Sequence, residues 1–247
     1  VSKEKITVSL VSYTNSKPFL YGLQNGIIKD EIVLSLDKPA ECARKMIAGE
    51  ASVGLVPVAA IEKIPNAKQI GDYGIAAIGK VDSVLLLSNV DLAQIKTVLL
   101  DYQSMTSVKL IKVLAKNFWQ ISFEYENSVQ GYENEIKNNV AGVIIGDRAL
   151  ELKNNFPYVY DLSEEWYKFT QLPFVFAAWV TNTQLTQEFV GNFNNALNLG
   201  ISNIDEVVKQ LLSTQQFNFD VAHYLQHSIK YYLTKEIKQG MNKFLSL

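Results

Sequence analysis

Ala51-Ser52-Val53-Gly54-Leu55-Val56-Pro57-Val58 is a short apolar run that closes on a proline. Such a run, rich in β-branched residues, fits a strand buried on both faces. Proline has no N–H for a central ladder, so the strand stops there. Working back, residues 39–48 carry a helical pattern that ends near Gly49, and Ile32-Val33-Leu34-Ser35-Leu36 reads as a strand. Earlier still, Pro18 to Leu23 reads as a short helix that Ser16 can cap, and Ile6-Thr7-Val8-Ser9-Leu10-Val11 as the first strand. The alternation of three strands with two helices predicts an α/β fold on an open, mostly parallel sheet.

Working forward, two apolar runs follow, Tyr73 to Ile78 and Ser83 to Ser88. A second α/β series starts at Lys96-Thr97-Val98-Leu99-Leu100. It continues with a helix over 104–117, a strand from Ile121 to Tyr125, a polar helix near 129–138, a buried strand from Val140 to Ile145 and a short helix from Asp147. Residues 172–181 are apolar and extended, and helices near 183–199, 203–213, 218–229 and 233–246 complete the chain. Two α/β series with a helical return predict two lobes. Crossing segments are expected near 84–92 and 175–182, with 1–88 plus 179–247 as one lobe and 89–178 as the other. No Gly/Ser tether is present, which favours extended hinge strands.

The 247 residues are 48% hydrophobic and 19% charged, enough apolar material for a core in each lobe. A net charge of −2 offers no broad basic field, so no nucleic-acid partner is expected. No apolar run reaches the ~18–20 residues of a membrane helix, so no membrane partner is expected either. The single Cys42 excludes an internal disulfide and a cysteine zinc cluster, and within its helix-like run it reads as a small buried filler. The opening Val1-Ser2-Lys3-Glu4-Lys5 shows no secretory apolar region, which points to the cytoplasm.

In α/β sheets, ligands bind beyond the carboxyl ends of strands. The residues there are Tyr13-Thr14-Asn15-Ser16, Pro57, Ser83, Ser104-Met105-Thr106-Ser107 and Gly146-Asp147. They are rich in neutral hydrogen-bonding groups and poor in cations and histidine. Ser104, Thr106 and Ser107 stand where a strand yields to a helix, and free N–H groups plus the helix dipole make such a start an anion site. A plain capping role for Ser104 is the competing explanation. Asn15 and Asp147 are likewise ordinary turn or cap residues when taken singly. His223 and His227 are four apart on a late helix, without an H-E-x-x-H motif or an evident third ligand, so no metal is expected. No phosphate-loop, dinucleotide or G-x-S-x-G motif occurs. On these grounds the chain is a two-lobed α/β protein for a small anion, either enzyme or binding protein.

Many collinear stretches resemble the chorismate dehydratase family of menaquinone biosynthesis by the futalosine route. They include Ser12-Tyr13-Thr14-Asn15-Ser16-Lys17-Pro18-Phe19, Val53 to Ala60, Ile70-Gly71-Asp72-Tyr73-Gly74-Ile75 and Gly79-Lys80-Val81-Asp82-Ser83. Further matches are Leu100-Asp101 with Ser104-Met105-Thr106-Ser107-Val108, Ile144-Ile145-Gly146-Asp147, Asp161 to Trp166, and Thr170 to Ala177. The resemblance implies a two-lobed fold like type II periplasmic binding proteins, with mixed sheets, helices on both faces and a cleft between the lobes. It implies a carbon–oxygen lyase, without cofactor or metal, that turns chorismate, a dicarboxylate, into 3-(1-carboxyvinyloxy)benzoate and water. It implies Asn15 as the residue for chemistry, with Ser83, Ser104, Thr106 and Ser107 holding carboxylates. Tyr13, Pro57 and Asp147 complete the expected substrate site.

Three positions depart from the family pattern. Met105 stands where Arg is usual, and Ser163 and Gln171 where Gly is usual. If that Arg pairs with a carboxylate, Lys17, Lys80 or Arg148 would have to supply the charge. Two alternatives remain at this point: a dihydroxynaphthoate-forming lyase of the same pathway, and a non-catalytic binding protein for an anionic solute.

Overall fold

The computed structural model describes residues 5–247. Strand β1 (Ile6–Val11) has parallel partners on both sides, β2 (Ile32–Asp37) and β3 (Val53–Pro57). The connections between them are α1 (Lys17–Asn25) and α2 (Pro39–Ile47), each with a proline in its first turn, where a missing N–H costs nothing. Beyond β3 the sheet changes sense. The strand β10 (Phe174–Thr181) runs antiparallel to both β3 and β4 (Lys68–Ala77), and β11 (Lys230–Tyr232) adds antiparallel to β4. The order is β11-β4-β10-β3-β1-β2. The first sheet is therefore parallel over one half only. A buried strand is apolar whichever way it runs, so the sequence pattern carried no direction for β10.

The second sheet has the order β7-β6-β8-β5-β9. Its members are β5 (Val84–Ser88), β6 (Thr97–Leu100), β7 (Glu124–Asn127), β8 (Val140–Ile145) and β9 (Tyr158–Asp161). Strands β7, β6 and β8 are parallel, while β5 is antiparallel to both β8 and β9. This arrangement places 84–88 in the second sheet and all of 174–181 in the first. The sequence boundary at 88/89 separates β5 from its partners, and that at 178/179 cuts through β10, because burial alone does not say which sheet an apolar strand joins.

Other elements are α3 (Thr106–Leu114), α4 (Asp147–Leu152), α5 (Leu162–Thr170), α6 (Gln187–Ser202), α7 (Ile204–Thr214), α8 (Val221–His223) and α9 (Lys235–Leu245). The helix expected over 104–117 ends earlier as a regular helix, at Leu114, and widens into a π turn, Ala115–Trp119, closed by left-handed Gln120. The polar helix expected near 129–138 is only a short 3-10 turn, Tyr132–Glu135, entered through left-handed Gly131. Tyr132 and Ile136 are buried as a helical stripe would have them, but Gly131 at φ +91° breaks the regular helix before them. Strands β9 and β11 and helix α5 have no counterpart in the sequence reading. The helix expected over 218–229 is α8 plus a π turn, Tyr224–Ser228. His223 and His227 lie there with rings 5.1 Å apart, both exposed.

Most buried residues of the two sheets form one continuous apolar cluster, with Tyr13, Val81, Val84 and Ile145 at the junction, and a smaller cluster around Leu85, Leu87, Leu99 and Tyr132 lies within the second lobe. Trp166 on α5 packs edge-on against Phe174 of β10 and Phe244 of α9, joining the return strand to the last helix. Truncating such a fully buried aromatic costs about 3–5 kcal/mol. Helices α1 and α6 approach closely at Gly22, where a Cβ would lie 1.8 Å from the Ala196 carbonyl oxygen. No helix of the described residues is long and apolar enough to cross a membrane.

Candidate active site between the two sheets

A cavity of about 550 Å³, counting its open side, lies where the two sheets meet. Strands β1, β3, β6 and β8 end at it. Three nine-residue helices begin at it: α1 after Asn15 and Ser16, α2 with Pro39, and α3 with Thr106 and Ser107. Gly146, just before α4, closes the wall. It has φ +65°, and a Cβ there would sit 3.0 Å from the Tyr13 ring, so a larger residue would push the walls apart. Convergent helix starts follow from the topology, since each parallel strand hands the chain to a helix at the same edge. None of the lining residues is charged.

The turn after β1 is held by distant partners. The Tyr13 hydroxyl donates to Gln103 in the opposite lobe. The Thr14 N–H donates to both Asp147 carboxylate oxygens, at 3.2 and 3.3 Å. Asp147 therefore reaches across the junction and does not cap its own helix, contrary to its reading as an ordinary N-cap. Burial pushes its pKa up, while the Thr14 contacts, Lys38 and Lys17 pull it down. Ser16 makes no capping hydrogen bond; its hydroxyl donates to the side-chain amide oxygen Oδ1 of Asn15 at 3.2 Å. Ser83 accepts a 2.8 Å hydrogen bond from the buried Tyr224 hydroxyl.

The turn after β6 is held chiefly within its own lobe. Ser104 Oγ accepts the Ser107 N–H at 3.0 Å, which is the capping bond anticipated for it. Asp101 accepts the Gln103 N–H at 2.8 Å, the Tyr132 hydroxyl at 2.9 Å and Arg148 at 2.5 Å. The Asp101 side chain is fully buried, and burial pushes its pKa up against the pull of Arg148. Thr106 spends its hydroxyl proton on the Phe176 carbonyl at 3.1 Å and accepts the Ala59 N–H at 3.3 Å. It thus ties α3 to the first lobe, and that proton is not free for a ligand.

Of the residues singled out from sequence, Tyr13, Asn15, Pro57, Ser83, Ser104, Thr106 and Ser107 line this one cavity. Asp147 does not line it and braces its edge. Met105 faces a separate groove with Ala59, Val108 and Lys109. Two of the three suggested replacement cations are engaged: Arg148 pairs with Asp101 and Glu133, and Lys80 with Asp82. Three contributors were missed. Tyr224 and Ile229 come from the C-terminal part, where no motif pointed to the cavity. Lys38, whose ammonium sits 5.0 Å from the Tyr13 ring centroid, stands next to cavity-lining Pro39. Its place directly before a helix-starting proline was the available signal.

A family model described as menaquinone biosynthesis matches residues 6–247. The chain belongs to the menaquinone biosynthesis family. Within that setting, a chorismate dehydratase of Thermus thermophilus is 34% identical over 162 residues. That alignment spans 57% of this chain and 58% of the relative, less than two thirds of the relative's length. Solved structures share the fold at low identity. A protein of Archaeoglobus fulgidus has a TM-score of 0.78 at 15% identity, covering 100% of this chain and 97% of the other. A Candida albicans gene product described as showing the generic periplasmic binding protein fold has a TM-score of 0.67 at 13% identity, covering 99% and 91%. An alkanesulfonate-binding protein of Xanthomonas axonopodis has a TM-score of 0.68 at 12% identity, covering 98% and 91%. This member of the menaquinone biosynthesis family thus has the periplasmic-binding-protein-like fold implied by its sequence.

Proposed function

We propose that the protein is a chorismate dehydratase, a carbon–oxygen lyase that converts chorismate into 3-(1-carboxyvinyloxy)benzoate and water. The observation that carries this reading is an uncharged cavity onto which three helix N-termini and several hydroxyl and amide groups converge. A helix start is worth about 0.3–1 kcal/mol to a nearby anion, up to ~2 where partly buried. Three together match one or two charge-assisted hydrogen bonds of ~1.5–3 kcal/mol. A dicarboxylate can be held this way without an arginine in the loop at 104–107. Lys38 and Lys17 at the edge add an attractive field for its approach.

The chemistry suits neutral donors. Removal of the C3 proton sends negative charge through the ring diene toward the ring carboxylate. Departure of the C4 hydroxyl then completes an aromatic ring, and proton and hydroxide leave as water. Such an elimination needs orientation and stabilisation of a developing anion. Asn15 orients the substrate and polarises the leaving hydroxyl, while Ser83, Ser104 and Ser107 address the carboxylates. The side-chain carboxylate of chorismate itself serves as proton acceptor, since no histidine or carboxylate lines the cavity among the described residues. A cytoplasmic place of work goes with this reading, because a diffusible metabolite and a chain with one cysteine both suit that compartment.

The test is turnover. Purified protein incubated with chorismate should yield 3-(1-carboxyvinyloxy)benzoate, separable by chromatography. Decay of chorismate at its uncatalysed rate would remove the dehydratase reading. Tight binding of chorismate without product would make the protein a binder.

A further inference from the structure

We infer that Tyr224 is a positioning residue: its buried hydroxyl holds Ser83 by a 2.8 Å hydrogen bond, and its π turn, packed on the Thr14–Ser16 turn, fixes Asn15 beside it, so that both present donors to the cavity. This inference rests on the dehydratase reading for its kinetic consequence and on geometry for the rest. Tyr224 opens the π turn Tyr224–Ser228, which packs directly on the Thr14–Ser16 turn. π turns of this kind recur at functional sites, where the extra residue re-aims a side chain. Here it delivers a side chain from the C-terminal part to the junction of the two lobes. The ring is 2% exposed and is steadied by an edge contact with Phe219 at 6.0 Å.

A phenol has one proton. Spending it on Ser83 Oγ occupies a lone pair there and leaves the Ser83 proton free to point into the cavity. The phenol oxygen keeps its acceptor capacity, and Asn15 lies in the Thr14–Ser16 turn on which the π turn packs. Burial pushes the Tyr224 pKa far up, and the Ser83 and Asn15 contacts offset only part of that rise. The group therefore stays protonated and works as a fixed dipole, not as a base. Tyr231 shows the contrast: it is equally buried, yet its hydroxyl has no partner. A filler at 224 would need no hydroxyl at all.

The experiment compares the full chain with Tyr224→Phe by steady-state turnover of chorismate and by the side-chain amide resonance of ¹⁵N-labelled Asn15. Expected are a kcat lower by about 10–100-fold, a KM changed by less than about 3-fold, and a displaced Asn15 amide signal. In a Ser83→Ala background, the same substitution should cost less than about 3-fold more, because the two residues act as a unit. Wild-type kcat together with an unmoved Asn15 signal overturns the inference, as does a KM that rises in step with the loss of kcat. Should the parent protein leave chorismate untouched, the dehydratase reading falls separately. The Asn15 resonance then decides Tyr224 alone: displaced in Tyr224→Phe it supports the role, unmoved it overturns it. Should Tyr224→Phe fail to fold, Ser83→Ala replaces it, and an Asn15 signal unchanged on losing the shared partner overturns the coupling.

Discussion

The turn after β1, Tyr13–Ser16, and the turn after β6, Asp101–Ser107, both follow a parallel strand and both open a helix onto the same cavity. Their supports differ. The second turn has its main supports inside its own lobe, the Ser104 cap and the Asp101–Arg148–Glu133 group, and meets the first lobe through Gln103 and Thr106. The first is tied to places far along the chain: Thr14 to Asp147, Tyr13 to Gln103, and the whole turn against the π turn whose Tyr224 holds Ser83. One wall is thus built largely within a lobe, and the other takes its shape only when the lobes meet. Substitutions in the second turn should therefore show in stability, and those in the first in catalysis.

The largest effect expected is from Arg148→Met. It strands the fully buried Asp101 without its cation. Breaking a buried pair costs about 3–5 kcal/mol, measurable by urea denaturation. A loss below ~1 kcal/mol would mean the second turn does not depend on that pair. Next comes Asn15→Ala, which should lower turnover by about 10²–10³-fold. Its denaturation midpoint should shift by less than ~1 kcal/mol in stability. A variant of unchanged turnover would take Asn15 out of the mechanism and dissolve the contrast between the walls.

A third expectation concerns Asp161, which caps α5 and fastens the crossing between β4 and β5. Its carboxylate accepts N–H groups of Val81 and Asp82 on one side and of Ser163 and Glu164 on the other. Burial pushes its pKa up to about 6, against the pull of these donors. A folded pKa above the unfolded ~3.9 means that the native state binds the proton more tightly. The stability it contributes is fully present below about pH 4 and is lost as pH rises through about 6. The expected size is on the order of 3 kcal/mol. Subtracting the pH–stability profile of Asp161→Asn from that of the parent isolates this change. A difference that rises with pH would show the backbone donors prevailing over burial.

Smaller effects close the series. Ser104→Ala removes a helix cap and should cost about 1 kcal/mol of stability. Calorimetry on the variant would check it, and no loss would make the hydroxyl purely a ligand group. Lys38→Ala should weaken chorismate binding only a few-fold, and only at low salt, because exposed charges are screened beyond ~10 Å at 0.1 M. An equal loss at high salt would place Lys38 in direct contact with the ligand.

Much of the scaffold is legible in the chain itself. The first five elements follow from apolar period and turn residues, and the helix starts could be read from Pro18, Pro39 and the hydroxyls at 104–107. Burial of Cys42 was equally plain. What failed was direction, partnership and one helix length. The strands β10 and β5 read as apolar runs, but β5 was set in the wrong lobe and β10 was split between the two, and the helix expected at 129–138 is a single turn after left-handed Gly131. Asp147 looked like a local cap and is a brace between lobes. The strand and brace misses concern bonds between residues more than 10 positions apart, which no short window of sequence records.

The sequence by itself determined the inventory: a chain of α/β type with hydroxyl and amide groups at strand ends, no cluster of cations, and the motifs of its family. Local geometry follows from neighbours along the chain, since periodicity, proline and capping act within a few residues. Only the tertiary structure decided that Asn15, Ser83 and Ser107 share one cavity, that the distant Tyr224 braces Ser83 at its wall, and that Arg148 is already spent on Asp101. Those choices depend on which surfaces bury one another, and burial is a property of the whole fold.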